Sequence, residues 1–229
     1  MKIVVSDFVE GAQTAEGVVV IIDVFRAFSV ACYCLAQAPQ QIIAVGAIEQ
    51  ALELKSARPE TLLIGEREGK KLPGFDFGNS PTELASEALQ GKYIAHTTHA
   101  GTQGLVNAKK AKMVLTGALV NAKATAEYIR SLRPEVVTLV RMGWKAEENT
   151  EEDDVCAQYL KSLLLGEPCV PEDIKSQLLA SPCAARFLDP EQPWNPESDL
   201  HLCLDIDRFD FPVEAITRQD GTVELRRVT

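Results

Sequence analysis

Four acidic side chains, Asp23, Glu66, Asp76 and Asp153, stand in polar stretches near runs of Val, Ile and Leu. A carboxylate held at the end of a strand is a hard oxygen ligand. Magnesium typically takes one or two of these and completes its octahedron with water and substrate phosphate oxygens. Arg26 follows Asp23 closely and Arg67 adjoins Glu66; the planar donor fork of each guanidinium matches phosphate or sulfonate oxygens. Ser80 and the Gly101-Thr102 pair each open a helix-like stretch, where free N–H groups and the positive end of the helix dipole suit an anion. A set of this kind stabilises charge on a transferring phosphoryl group, a reaction in which most catalysis is electrostatic positioning. The chemistry these residue types point to is magnesium-dependent hydrolysis of a phosphate ester.

Each residue also has a plainer reading. Asp23 can cap the helix that follows it, Arg67 and Glu68 can form a solvated ion-pair cluster, and Glu151–Asp154 can be first-turn acids favoured by a helix dipole. Ser80 caps its helix under either reading. His96 and His99 flank two threonines in a polar loop but have no Cys or His partner at zinc-ligand spacing. Cys156 follows an acidic run, which disfavours a thiolate, so a buried inert thiol is expected. Several phosphatase designs are excluded: Asp23-Val24-Phe25 lacks a second aspartate, no cysteine is followed six residues later by arginine, and there is neither an Arg-His-Gly nor a phosphate-binding G-x-x-x-x-G-K-[ST] loop.

These residues need a scaffold, and its pattern is legible. Short Val- and Ile-rich runs recur at Ile3–Val5, Val18–Ile22, Ile42–Val45, Leu62–Ile64, Tyr93–Ala95, Met113–Leu115 and Val136–Val140. Between them lie stretches predicted as helices at Ala27–Ala36, Ile48–Ala57, Pro81–Leu89, Thr102–Ala108 and Asn121–Leu132. The alternation predicts a three-layer α/β/α arrangement with a largely parallel, mixed sheet. Ser80-Pro81-Thr82-Glu83 predicts a helix start with a capping box. A further helix is expected at Asp154–Leu164, followed by a tail broken at Pro168, Pro171, Pro182, Pro190, Pro193 and Pro196 and ending in a hairpin, Val213–Thr217 and Thr222–Arg226, about Asp220-Gly221. No repeat or linker interrupts residues 1–229, which read as a single domain. In open parallel sheets ligands bind beyond the carboxyl ends of the strands, and the candidate residues gather at that edge.

Composition bounds the partners. The chain of 229 residues is 46% hydrophobic and 24% charged, ordinary for a self-folding protein. Its 23 basic against 33 acidic residues leave a net charge of −10, which disfavours nucleic acid and anionic membrane surfaces. A small anionic substrate therefore needs a local concentration of arginines, N–H groups or a metal ion. Six cysteines without a C-x-x-C pair, an amino terminus without a signal-peptide core and no membrane-spanning stretch predict a cytoplasmic protein.

The blocks VVIIDVFRA (Val19–Ala27), GEREG (Gly65–Gly69), GFDFGNSP (Gly74–Pro81), TTHAGT (Thr97–Thr102), GALVNA (Gly117–Ala122) and the run Glu152–Ala157 resemble, in order and spacing, the 2-phosphosulfolactate phosphatase (ComB-like) family. GFDFGNSP is the most specific of them. The resemblance implies a homodimer and magnesium-dependent hydrolysis of 2-phospho-3-sulfolactate to 3-sulfolactate and phosphate, a step of coenzyme M biosynthesis. By position it implies Asp23, Arg26, Glu66 and Asp76 as catalytic residues, with Arg67, Asn79, Ser80, Thr97, Thr98, Gly101 and Thr102 around the substrate. Magnesium is expected on Asp23, Glu66 and Asp153. The chain departs from the family pattern at His99-Ala100, where Thr-Asn is usual, at Phe28 in place of Thr and at Gln158 in place of Gly. The altered TTHAGT loop motivates an alternative, a non-catalytic binding protein for an anionic metabolite. A third reading takes the acidic surface as an assembly interface.

Overall fold

The computed structural model describes residues 1–228. Ten strands, β1 (Lys2–Asp7), β2 (Val18–Ile22), β3 (Gln41–Ala44), β4 (Leu62–Arg67), β5 (Lys70–Lys71), β6 (Tyr93–Thr97), β7 (Met113–Gly117), β8 (Val136–Arg141), β9 (Val213–Thr217) and β10 (Val223–Arg227), form one mixed sheet in the order β1-β8-β2-β7-β9-β10-β3-β6-β4-β5. The helices are α1 (Phe8–Thr14), α2 (Ala27–Leu35), α3 (Ile48–Ala57), α4 (Pro81–Ala85), α5 (Gly101–Asn107), α6 (Ala122–Leu132), α7 (Glu151–Leu165), α8 (Pro171–Leu179), α9 (Pro182–Leu188) and α10 (Glu197–Cys203). Helices cover both faces, so the architecture is the expected α/β/α. No helix among the described residues is long and apolar enough to cross a membrane.

The sheet has two parallel halves, β1-β8-β2-β7 and β3-β6-β4, joined by the carboxyl-terminal hairpin. Strand β9 pairs antiparallel with β7 at Leu115 and Glu214, and β10 pairs antiparallel with β3 from Val223–Ala44 to Leu225–Ile42. The hairpin predicted at the tail is thus the central seam of the sheet.

Alternation of side chains shows how the halves meet. In β2, Val18, Val20 and Ile22 enter one core with α6 and α7, while Val19 and Ile21 enter another with α2 and α5. In the other half, Ile42, Ala44, Ile64 and Ile94 join that second core, whereas Ile43, Leu63 and Ala95 pack on the opposite face with Ala51 of α3. Successive residues of a strand face opposite sides, so one core serves one face of both halves, and the sheet curls around it. Helix α2 lies in that core with Ala27 to Cys34 all buried, as an apolar helix without a polar face must be. Helix α5 touches both β2 and β3. Curling about these two helices brings the loops after β2 and β4 together although several strands separate them in the sheet.

Two predicted segments differ in detail. Helix α4 ends at Ala85 instead of Leu89 because the Gln37 amide intercepts its backbone: Nε2 donates to Leu84 O at 2.9 Å and Oε1 accepts from Leu89 N. The proline-rich tail is more ordered than its punctuation predicts. Pro171 and Pro182 lie in the first turns of α8 and α9, where the missing N–H costs nothing.

Candidate active site

Asp23 ends β2 and starts the chain into α2. Its Oδ1 accepts the Ala27 N–H at 3.1 Å, so the capping role is real. The same carboxylate also lines a pocket with Arg26, Glu66 and Asn79. Burial pushes the Asp23 carboxyl up to about 7; the Ala27 N–H opposes this, and the charges of Glu66 and Glu152 add to it. The start of α5 presses against it from the other half of the sheet. A Cβ at Gly101 would sit 2.7 Å from Asp23 Oδ2 and 2.9 Å from Ala27 Cβ, so glycine there is the condition for the approach.

Arg26 is immobilised behind its own loop. Nη1 donates to Asp199 Oδ2 at 2.5 Å and to Trp194 O at 3.0 Å, and Nη2 donates to Gly69 O at 3.2 Å. Asp199, fully buried on α10, is a hub: its Oδ1 also accepts from Ser80 Oγ at 2.8 Å and from Thr82 N at 2.9 Å. Ser80 caps α4 as expected, accepting from Glu83 N, but Glu83 reaches back to Gly78 N and not to the cap residue. Ser80 acts on the pocket through Asp199 and Arg26.

Glu66, at the end of β4, accepts from Gly69 N at 2.7 Å on one oxygen and from His99 N at 2.8 Å on the other, tying the loops after β4 and β6. The His99 contact is made by backbone, which any residue supplies, so the departure from the family pattern at this position leaves the Glu66 anchor intact. Arg67 turns away from the pocket: its Nη1 donates to Glu66 O, and its Nη2 to Gly46 O and Thr97 Oγ1. Thr98 and Thr102 are buried and bond reciprocally across the start of α5. Asn79 lines the pocket with its Oδ1 3.1 Å from His96 Nε2. Burial pushes His96 down to about 4, so at neutral pH a neutral ring donates there and leaves the Asn79 N–H groups for the pocket.

Two expected acids sit elsewhere. Asp153 is buried beneath the pocket, one oxygen accepting from Val24 N at 2.9 Å and the other from Gly143 N at 2.8 Å. It braces the loops after β2 and β8 and does not line the cavity. Burial, followed by the charges of Asp23 and Glu152, holds its carboxyl well above the usual range. Asp76 is turned to the outside of the sheet edge, its Oδ2 accepting from Leu63 N and Lys55 Nζ, each at 2.8 Å. The structure therefore assembles Asp23, Arg26, Glu66 and Asn79, backed by Gly101 and Ser80, and leaves Asp76, Asp153, Arg67, Thr97, Thr98 and Thr102 outside the lining.

Sequence reasoning missed the opposite wall. Phe25, Trp144, Lys145, Arg186 and Asn195 complete it. Arg186, on α9, donates from Nη2 to Phe25 O at 3.1 Å and to Glu152 Oε1 at 3.2 Å. No local motif marks Arg186 or Asn195, and Asp199 lies in the tail run Asp-Leu-His-Leu-Cys-Leu (Asp199–Leu204).

Among the described residues no group of three or more His, Cys, Asp or Glu side chains could hold a metal ion. Two carboxylates, Asp23 and Glu66, do share one pocket, which is the number magnesium commonly draws from protein. Hard oxygens, the elevated Asp23 and an absence of lining sulfur fit that ion better than a soft one.

A family model described as 2-phosphosulpholactate phosphatase matches residues 4–214. The chain belongs to this family. It is 34% identical over 187 residues to a probable 2-phosphosulfolactate phosphatase of Clostridium tetani, covering 81% of this chain and 77% of the relative. It is 30% identical over 207 residues to the Bacillus subtilis protein of the same description, covering 89% and 88%. With that of Carboxydothermus hydrogenoformans it shares 37% over 193 residues, covering 84% and 79%. The enzyme is thus a phosphoric monoester hydrolase by family. The matched span takes in Asp23, Glu66, Asn79 and Arg186.

Proposed function

We propose that this phosphatase hydrolyses 2-phospho-3-sulfolactate, giving 3-sulfolactate and phosphate, and that it requires magnesium held by Asp23 and Glu66. One observation carries the metal requirement: each pocket cation is already paired. Arg26 is bound to Asp199, Lys145 to Glu68 and Arg186 to Glu152, while Asp23 and Glu66 add uncompensated negative charge. A substrate bearing several negative charges would meet no net attraction in such a pocket. A divalent cation on the two carboxylates would offset their charge and draw electron density from the phosphoryl oxygens.

The chain's own residues do the rest by positioning. Asn79, oriented by neutral His96, offers N–H groups to a phosphoryl oxygen. Arg26, held by three oxygens, presents positive charge that need not reorganise during reaction. Glu66 keeps the loops after β4 and β6 in register, and Asp153 does the same for those after β2 and β8.

The test is phosphate release from 2-phospho-3-sulfolactate with magnesium, with chelator, and with Glu66→Gln. Expected is release that stops on chelation, returns with magnesium and falls at least 100-fold in the variant, the order lost when a group stabilising the transition state is removed. Undiminished release in excess chelator would refute the metal requirement, and no release under any condition would refute the substrate.

A further inference from the structure

We infer that Arg186 is the specificity-determining residue of the pocket, receiving the sulfonate carried by the phosphate ester as a second anionic group; the inference rests on the hydrolytic reading above. Three cations line the pocket, and they differ in what they have left to give. Arg26 uses both Nη atoms on three protein oxygens. Lys145 is tied to the exposed Glu68. Arg186 makes both of its hydrogen bonds from Nη2. Among the described residues its Nε is buried without an acceptor, and its Nη1 makes no hydrogen bond. Leaving a charged donor unpaired is costly, and an oxyanion in the pocket that accepts from Nη1 offsets part of that cost.

The surroundings suit such an anion. The guanidinium lies 5.1 Å from the ring centre of Phe187, 5.2 Å from that of Trp144 and 5.8 Å from that of Phe25. Aromatic walls hold the guanidinium plane, which orients its free donors for pairing with an oxyanion. The bond to Glu152 is single, at 3.2 Å, and Glu152 Oε2 is itself buried without a partner. The pair is therefore not the two-pronged contact that would saturate an arginine. Arg186 bonds neither Asp23 nor Glu66 yet lines the same pocket, which leaves it available for a second anionic group beside the phosphoryl group.

Steady-state kinetics and binding test this on the full-length protein with Arg186→Lys and Arg186→Met, using 2-phospho-3-sulfolactate and 2-phospholactate, which lacks the sulfonate. Calorimetry with 3-sulfolactate and lactate accompanies the kinetics. Expected for Arg186→Met is a rise in KM for the sulfonated ester of about 10- to 100-fold, the worth of a charge-assisted contact, with a much smaller change for 2-phospholactate. Arg186→Lys, which keeps charge but loses the fork, falls between. Equal losses on both esters, or unchanged discrimination, would overturn the inference. Should the parent turn over neither ester, the hydrolytic reading fails, and calorimetry still decides: 3-sulfolactate binding weakened only in the variants supports Arg186, whereas binding unaffected by both substitutions overturns it.

Discussion

Asp23→Asn separates the cost of the site from its use. The buried Asp23 carboxyl is pushed from 3.8 up to about 7, so its ionised form is disfavoured by about 4 kcal/mol at about 1.4 kcal/mol per pH unit. Between pH 3.8 and about 7 the folded protein keeps a proton that the unfolded chain has released. Metal-free stability must then fall as pH rises through that window and level off above it. Asparagine retains the oxygen that accepts the Ala27 N–H and removes the charge, although its amide group must also be housed. Recovery of about half the cost, roughly 2 kcal/mol, is expected at pH 8, which for a domain of this size raises Tm by about 4–8 °C. At pH 5, about 1.2 units into that window, the cost is about 1.7 kcal/mol and the gain should shrink to about 0.8 kcal/mol.

Thermal melts of parent and variant at pH 5 and pH 8, in chelator and then in magnesium, make the comparison. The parent is expected to gain stability from magnesium at pH 8 and Asp23→Asn to gain much less, since ligand binding stabilises only the form that binds. The variant should also lose phosphatase activity. A variant less stable than the parent at pH 8 without metal, or a difference independent of pH, would refute the charge argument. A magnesium response equal in both proteins would remove Asp23 from the ligand set.

Asp199→Ala, which strips the buried partner from Arg26, should cost about 3–5 kcal/mol by urea denaturation and lower kcat, because Ser80 and Thr82 lose the same anchor. Gly101→Ala places a methyl 2.7 Å from Asp23 Oδ2; a stability loss of about 1–3 kcal/mol by denaturation should accompany a fall in kcat out of proportion to it. Asp76→Asn loses the half-exposed pair with Lys55, worth about 0–1 kcal/mol; assay should find phosphatase activity within about twofold of the parent, and a larger loss would return Asp76 to the reaction.

What the chain discloses at the level of sequence follows the range of the forces involved. Local ones are readable: the seven strands predicted from Val- and Ile-rich runs stand where those runs place them, and Ser80 begins its helix with proline in the first turn. Strand-end position also identifies Asp23 and Glu66, since in a parallel sheet the loop beyond a buried strand is where polar groups can face a ligand, and the family resemblance adds Asn79. Position at a strand end does not reveal which way a side chain turns. Asp76 and Arg67 occupy such loops and turn away, one to Lys55 and Leu63, the other to Gly46 and Thr97. Partners distant in sequence are hidden for a related reason. Asp199 and Arg186 reach the pocket because α9 and α10 dock beside the loop after β2, more than 150 residues from it in the chain, and no local spacing encodes that docking. The insertion of β9 and β10 between the parallel halves is hidden likewise: an Asp-Gly turn predicts a hairpin but not the neighbours it pairs with. Those tertiary choices determine what the pocket recognises, because the carboxylates come from the sheet end and the unsatisfied guanidinium comes from the tail. The reaction type can therefore be read from the strand ends, whereas selection of the ester's second charge depends on how the tail packs.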